Sequence, residues 1–576
     1  MNQRERISPW RVTVVLIMLA GSTVALVARI AHIQLIEHAS FVEQADDNHW
    51  GRQDLLAQRG AVRDRNGNPL AMSVNRWELS IDPGQLDKPG SRDAAIAVAS
   101  KATGMSPADI ERKLQGATGP VVISDQVDYA AGRPIVEGGL RGVTVRELVT
   151  RTFPEGNLAA GLIGFIGKDH AGLTGVEADY DRDLAGVSGR SVYERDSIGN
   201  PIPLGYRNTV APKPGGDVYL SIDRYIQRVI EKLLDDTIKE QKADGGTVLV
   251  MDPNDGAILA QASRPTFDLR NPDLNDQKQA DLFRNRGITD LYEPGSTFKA
   301  VTMAAALNEH VVTPTTTHND SGPVVKYGMA IENWNFVHVG VETMTQLLIR
   351  SNNVGAVWVA EKLGPDLLYK YIQQFGFGQP TQVGLSGEAG GFFRTPKDTT
   401  WTPIDLATAA FGQSVTATPL QMITAYAAIA NGGTLMRPYV VDRIVTPEGE
   451  RVTQPTKVRQ VITPETAATL RSMLRDVDEQ GTSGKGVVPG FALAGKTGTA
   501  SIPGANGYDD KTIASMIGMV PYDNPKAVVL VKIDNPKNSP WGSQVAAPVF
   551  AAVAKELLVY WRVAPTEGAY VSNVHP

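Results

Sequence analysis

Glu293-Pro294-Gly295-Ser296-Thr297-Phe298-Lys299 is followed by Ala300-Val301-Thr302-Met303-Ala304-Ala305-Ala306-Leu307, and no glycine or proline returns until Pro314. That composition favours a helix, and Pro294 and Gly295 stand where one would begin. Ser296 and Lys299, three apart, would share a helix face and could touch. A serine hydroxyl is a poor nucleophile until a base removes its proton. Lysine becomes such a base when apolar burial lowers its pKa, and Phe298, Val301, Thr302 and Met303 supply mostly apolar neighbours. A helix N-terminus adds partial positive charge and free N–H groups at Ser296. One turn can therefore supply nucleophile, base and oxyanion donor. Alone the signal is weak, because chance gives about one Ser-x-x-Lys in a chain of this length.

Two further groups lie downstream. Ser351-Asn352-Asn353 sits between helical patterns at Met344–Ile349 and Val354–Leu363. A polar trio between helices suits a loop that aims side chains into a cleft. Ser73-Val74-Asn75 has the same form, and such trios usually make turns or caps. Lys496-Thr497-Gly498-Thr499 follows Phe491-Ala492-Leu493-Ala494, which alternates in size as a strand does. The small residues at 497 and 498 would let an extended substrate pair with the strand backbone, and Lys496 would offer positive charge to a carboxylate. Gly490 to Thr497 also fits the letters of a phosphate-binding loop. The context excludes that reading. Its threonine would have to open a helix, whereas Gly498 and Pro503 follow, and the candidate metal strand Val248–Asp252 precedes it instead of following.

The remaining sequence bounds the function. The 576 residues carry a net charge of −6, which argues against nucleic acid as a partner. There is no cysteine, and the eight histidines form no paired metal-ligand motif. Residues Val12–Ala28 are uncharged, and Ile30–Ile36 continues the apolar run past Arg29. This predicts one membrane span, a retained anchor continuing as helix through Gln34–Glu37 instead of a cleaved signal peptide. Arg4, Arg6 and Arg11 before it place the N-terminus in the cytoplasm and the rest outside.

Between about residues 50 and 215 the chain reads as a turn-rich α+β region without a catalytic cluster. Asn66-Gly67 marks a turn between two strands. Strands are expected at Trp77–Ile81 and Val121–Ile123, and a helix at Pro107–Leu114 capped by Ser106. Pro212-Lys213-Pro214-Gly215-Gly216 marks a boundary. Beyond it come a strand at Val218–Ile222, an amphipathic helix at Ile226–Lys242, a strand pair at Gly246–Met251 and Ala257–Ala262, and mostly helix from 297 to about 430. Strands return at Ile513–Val520 and Ala527–Ile533, and a helix closes near Pro548–Tyr560. Strands, then helices, then strands indicate an α/β sandwich of the α+β kind and not repeated βαβ units. The expected division is a tail at 1–11, an anchor at 12–36, a non-catalytic pedestal at 37–215 and a catalytic domain at 216–576.

Ser296-x-x-Lys299, Ser351-x-Asn353 and Lys496-Thr497-Gly498, in this order and at these separations, resemble the three motifs of penicillin-binding proteins and serine β-lactamases. The resemblance spans nearly the whole chain. Arg59-Gly60 through Asn66-Gly67, Gly175-Val176-Glu177, Tyr180-Asp181, Leu184-Ala185-Gly186 and Gly189 are similar to the N-terminal boxes of class B, monofunctional transpeptidases. The resemblance implies helices packed on an antiparallel sheet, carried on a pedestal of the dimerisation type. It implies acyl transfer from peptidoglycan stem peptides, with no metal and no cofactor. Ser296 would attack, Lys299 take the proton, Ser351 relay a proton to the leaving D-alanine and Asn353 position the peptide. Lys496, Thr497 and Thr499 would hold the terminal carboxylate, with Gly498 among the substrate-binding residues and the N–H groups of Ser296 and Thr499 holding the oxyanion. β-Lactams would acylate Ser296, and a membrane-embedded glycan polymerase would be the partner. Arg284-Asn285-Arg286, the Glu-Pro-Gly lead-in and the spacing around Gly172–Tyr180 look more like septal, cell-division enzymes than side-wall elongation ones. A β-lactamase, a β-lactam sensor and an inactive scaffold are the alternatives.

Overall fold

The computed structural model describes residues 9–196, 201–274, 276, 279–481, 484–504 and 507–566. The first eight residues, with Arg4 and Arg6, lie outside the described residues. The chain divides into two compact units, one of residues 1–58 with 186–214, the other of residues 59–185 with 215–576.

The first unit begins with the helix Pro9–Leu35, 27 residues long and without a buried residue. At 1.5 Å per residue it exceeds the roughly 30 Å of a bilayer core. The chain departs from the expected helix at Ile36 and Glu37, which form a turn before a second helix at His38–His49. Glu37 lies 3.5 Å from Arg29 and 3.3 Å from His32, which draws it back along the helix instead of onward. A three-stranded antiparallel sheet completes the unit, with Gly189–Glu194 between Trp50–Leu55 and Arg207–Val210.

In the second unit, a sheet built largely from the N-terminal part holds Val62–Arg63, the long strand Pro69–Ile81, Val121–Asp128 and Val143–Thr152. Asn66 and Gly67 make the expected turn, with Gly67 at φ 86° and the Asp64 carboxylate accepting from the N–H groups of Asn66 and Asn68. Pro107–Leu114 is helical, and the Ser106 hydroxyl accepts from the Asp109 N–H. Ile110 and Leu114 pack with Leu79, Ile81, Ile96 and Ile123 into a local core. This sheet continues into Asp217–Leu220, which pairs in parallel with Val62–Arg63.

The same stretch holds a charge cluster that its spacing does not reveal. Glu177 is fully buried and accepts from Arg59 and from Arg151, both at 2.7 Å, while Asp181 lies 2.6 Å from Arg59. The sequence boxes at 59 and 175–181 are therefore one ion-pair network. Each buried charge is paired, as the low-dielectric interior demands.

A five-stranded sheet organises the rest. Its strands are β1 (Gly245–Met251), β2 (Ile258–Arg264), β3 (Ala494–Gly504), β4 (Gly507–Val520) and β5 (Ala527–Asp534), in the antiparallel order β2-β1-β5-β4-β3. Both faces are covered, and the period-2 alternation shows it. Leu249, Met251, Met519 and Leu530 enter one core, whereas Val248, Val250, Met516 and Val531 enter the other. Helices α1 (Arg224–Gln241) and α7 (Gly542–Tyr560) cover the second face, through Ile226, Ile230 and Leu234 and through Val549, Phe550 and Val553. On the first face lie α2 (Lys299–Asn308), α3 (Met344–Arg350), α4 (Asn353–Leu363), α5 (Pro419–Ala430) and α6 (Pro464–Gln480). This is the α/β sandwich expected from the element order, with the helices-on-antiparallel-sheet arrangement that the resemblance implies.

Three local expectations need correction. Pro548 lies inside α7 instead of at its start, since the helix begins six residues earlier. Phe491–Leu493 is not strand: β3 begins at Ala494 and continues beyond Thr497, so the decoy loop threonine opens no helix. α7 is also long and apolar enough to cross a membrane, although no second such run was expected, but 56% of its apolar window is buried in the fold.

Candidate active site

Ser296 stands on a single tight turn, Gly295–Phe298, of 3₁₀ form, which runs straight into α2 at Lys299. Side chains three apart eclipse in that geometry. The Lys299 ammonium accordingly donates to Ser296 Oγ at 3.0 Å. The turn is clamped from several sides. The Gly412 carbonyl accepts the Gly295 N–H at 3.0 Å, and Tyr426 donates to the Thr297 carbonyl at 2.7 Å. Glu293 accepts from the Ser414 N–H and from the Tyr508 hydroxyl, each at 2.9 Å.

Lys299 is 1% exposed, but its surroundings differ from the expectation. The apolar neighbours on its own helix are not what satisfies the ammonium. The amine instead donates to the Ser351 carbonyl at 2.6 Å, to Ser351 Oγ at 3.2 Å and to Asn353 Oδ1 at 2.7 Å. Burial still pushes its pKa well below the ordinary lysine value, the Lys496 charge pushes it further down, and Glu342 opposes both. A lysine so perturbed gives up its proton more readily than an ordinary one and can accept one from Ser296.

Ser351 ends α3 in the left-handed region at φ 57°, and Asn352 caps α4 by accepting the Gly355 N–H. Lys496 is fully buried on β3, donates to the Thr497 carbonyl at 3.1 Å, and is pushed down to about 7 by burial. Its charge is therefore conditional near neutral pH.

Strand β3 is the edge of the sheet and lies against the turn. A methyl group added at Gly498 would stand 3.0 Å from the Pro294 carbonyl and 3.1 Å from Thr297. A cleft of about 260 Å³ opens there, lined by Ser296, Ser351, Thr497, Gly498 and Thr499 together with Trp334 and Trp541. Lys299, Asn353 and Lys496 stand behind its wall. Thr499 Oγ1 accepts the N–H of Gly542 at 3.0 Å, which ties the strand to the start of α7.

Sequence spacing did not find Trp334 and Trp541, whose rings meet edge to face at 5.2 Å. They lie on loops with no periodic pattern. A larger cavity of about 720 Å³, lined by Phe375, Phe377, Gln421 and Arg459 among others, holds none of the motif residues. The chemistry selects the smaller cleft, because there Ser296 faces the depressed Lys299.

The profile of the penicillin-binding protein transpeptidase domain matches residues 246–555, and that of the penicillin-binding protein dimerisation domain matches residues 54–220. The chain belongs to the class B penicillin-binding proteins. This penicillin-binding protein is 32% identical over 561 residues to stage V sporulation protein D of Bacillus subtilis, covering 95% of this chain and 86% of that one. It is 30% identical over 550 residues to the peptidoglycan D,D-transpeptidase FtsI of Escherichia coli, covering 94% and 90% respectively. The crystal structure of penicillin-binding protein 3 from Mycobacterium tuberculosis, complexed with aztreonam, superposes with a TM-score of 0.68 at 26% identity, covering 89% of this chain and 98% of that one.

Proposed function

We propose that this protein is a peptidoglycan D,D-transpeptidase that cross-links stem peptides through an acyl-enzyme on Ser296. The observation that carries the reading is the 3.0 Å contact between Ser296 Oγ and the buried Lys299 amine, held by Ser351 and Asn353. Unprotonated Lys299 takes the hydroxyl proton as Oγ attacks the carbonyl between the last two D-alanines. The oxyanion sits on the N–H groups of Ser296 and Thr499, each such donor contributing about 3 kcal/mol. The C–N bond breaks, and Ser351 passes a proton to the departing D-alanine amine. Lys496, Thr497 and Thr499 hold the donor carboxylate, Gly498 leaves room for the peptide along β3, and Asn353 positions it. The amine of a neighbouring strand then attacks the ester, gives up its proton and restores Ser296. β-Lactams acylate the same oxygen.

The purified full-length protein is expected to label stably with a fluorescent penicillin, and Ser296→Ala to abolish the label. Rapid release of the antibiotic would instead identify a β-lactamase.

The motif spacing and the Arg284–Arg286 segment support a septal role over side-wall elongation. Depletion in cells should give filaments, whereas spheres would assign elongation. The domain reading is a tail at 1–11, an anchor at 12–36, a pedestal at 37–215 and a transpeptidase domain at 216–576. The exposed apolar helix Pro9–Leu35 supports a single-pass anchor, the arginines at 4, 6 and 11 support a cytoplasmic N-terminus, and a membrane-embedded glycan polymerase is the partner that fits it. Deleting residues 1–36 should move the protein from the membrane to the soluble fraction with penicillin labelling retained. Retention in the membrane would refute the anchor.

A further inference from the structure

Behind the Ser351–Asn353 turn lies a buried carboxylate that the mechanism above leaves unused. Asp320, 1% exposed, ends the short strand Thr317–Asp320. Its Oδ2 accepts from the side-chain amides of Asn352 at 2.7 Å and Asn333 at 2.8 Å, and its Oδ1 meets His338 Nδ1 at 2.7 Å. Asn333 in turn accepts the backbone N–H groups of Asn353 at 3.0 Å and Val354 at 3.3 Å. The other ring nitrogen of His338 reaches Glu332 Oε2 at 3.2 Å. The Glu332 carbonyl accepts Nδ2–H of Asn353 at 2.9 Å. That last bond settles which way the Asn353 amide points, since its nitrogen faces Glu332 and its oxygen must face Lys299.

The turn needs such support. Ser351 at φ 57° occupies a left-handed conformation that is uncommon for a residue with a side chain. Backbone of that kind persists only where its surroundings over-determine it. Asp320 supplies that constraint. It fixes Asn352 directly, and through Asn333 it fixes the backbone on the far side of Ser351.

We propose that Asp320, together with Asn333 and His338, is a positioning residue for acyl transfer, setting where Ser351 and Asn353 meet the amine of Lys299. The proposal rests on the acyl-enzyme reading. The network also carries a titratable member. Burial pushes Asp320 up, but the bonds from His338, Asn352 and Asn333 outweigh it and hold the carboxylate below its usual range. The hydrogen bond to Asp320 pushes His338 up, and Glu332 adds to this. Asp320 also faces His318 from its own strand and Glu342 from the paired strand Gly340–Thr343, while Arg350 on α3 lies 3.3 Å from Glu342. Protonated His338 bridges Asp320 and Glu332. Once it loses a proton, only one of those two contacts keeps a donor.

The test compares second-order acylation rates of the full-length protein in detergent with fluorescent penicillin, counted per folded molecule, for wild type, Asp320→Asn, Asp320→Ala, Asn333→Ala and His338→Gln. Thermal unfolding is followed in parallel. The Asp320 and Asn333 variants should acylate about tenfold more slowly or worse, since misplacing a reacting group by a fraction of an ångström has that scale of effect. The ratio of wild-type to His338→Gln rates should grow as the pH falls from about 8.5 to about 6, because only wild type gains the bridging charge. A merely structural role would lower the unfolding temperature and leave both rate signatures flat, which would overturn the proposal. If the Asp320 variants do not fold, the Asn333→Ala rate and the His338→Gln ratio decide it. Failure of the wild type to label at Ser296 would overturn the acyl-enzyme reading itself. Normal wild-type labelling with unaffected variants would remove this inference alone.

Discussion

Lys299 reaches Ser296 with its proton already loosened, and the cause lies in its surroundings more than in its helix. Burial is the largest influence, Lys496 the second, and Glu342 pulls the other way. Only the unprotonated amine can accept the serine proton, so acylation should rise with pH through the depressed lysine value. It should level off well below the ordinary value near 10.5. A pH series of penicillin acylation rates checks this; a limb still climbing at pH 10 would show an unperturbed lysine. The stability sign is separate. A lysine whose folded pKa lies below its unfolded one leaves the unfolded state holding more protons in that window, so stability rises with pH from the folded value toward the unfolded one. Lys496, pushed down to about 7, adds the same trend between neutrality and the ordinary lysine range. The site therefore lowers stability near neutral pH while keeping two amines ready to act.

The element that matters most is the 3₁₀ turn Gly295–Phe298 and its contact with β3 and Gly412. The sequence marks this turn as the start of a helix, and the helix follows it. What the sequence leaves unread is the grip of residues 412, 414, 426 and 508, because hydrogen bonds between residues far apart in the chain leave no periodic trace. Gly412 has φ 79°, and a methyl group there would stand 2.3 Å from the Gly295 carbonyl oxygen and 2.8 Å from the Gly295 nitrogen. Gly412→Ala should therefore shift the turn and cut acylation by about 100-fold, the scale set by a misplacement near 1 Å. Strain at a left-handed position adds about 1–2 kcal/mol of lost stability. Stopped-flow acylation and urea unfolding measure the two effects; an unchanged acylation rate would show that the turn does not depend on this contact.

Across the whole molecule, segments far apart in sequence are joined by charge. Glu177 takes Arg59 and Arg151 into a buried network spanning more than a hundred residues of chain. Removing one partner strands the others without solvent, which costs about 3–5 kcal/mol. Glu177→Ala should lower unfolding stability by that amount in urea titration, while the acylation rate of the folded fraction should hold, since the network does not line the cleft. A loss under about 1 kcal/mol would mean that water or rearrangement compensates the arginines.

The sequence by itself determined most of the longer elements, their α/β layering, the apolar N-terminal helix and the three motif segments. Each follows from local information, namely alternation of period two, helical spacing, turn residues, and short runs of chemically suited side chains. Only the tertiary structure decided what the Lys299 amine bonds to: Ser351 and Asn353, from a segment some fifty residues away, beside Ser296 on its own turn. It alone placed Trp334, Trp541 and the Asp320 network around the cleft. The reason is physical. Hydrophobic burial is non-directional and says which face of an element turns inward. Hydrogen bonds depend on angle and distance, so their partners are fixed only when distant segments meet.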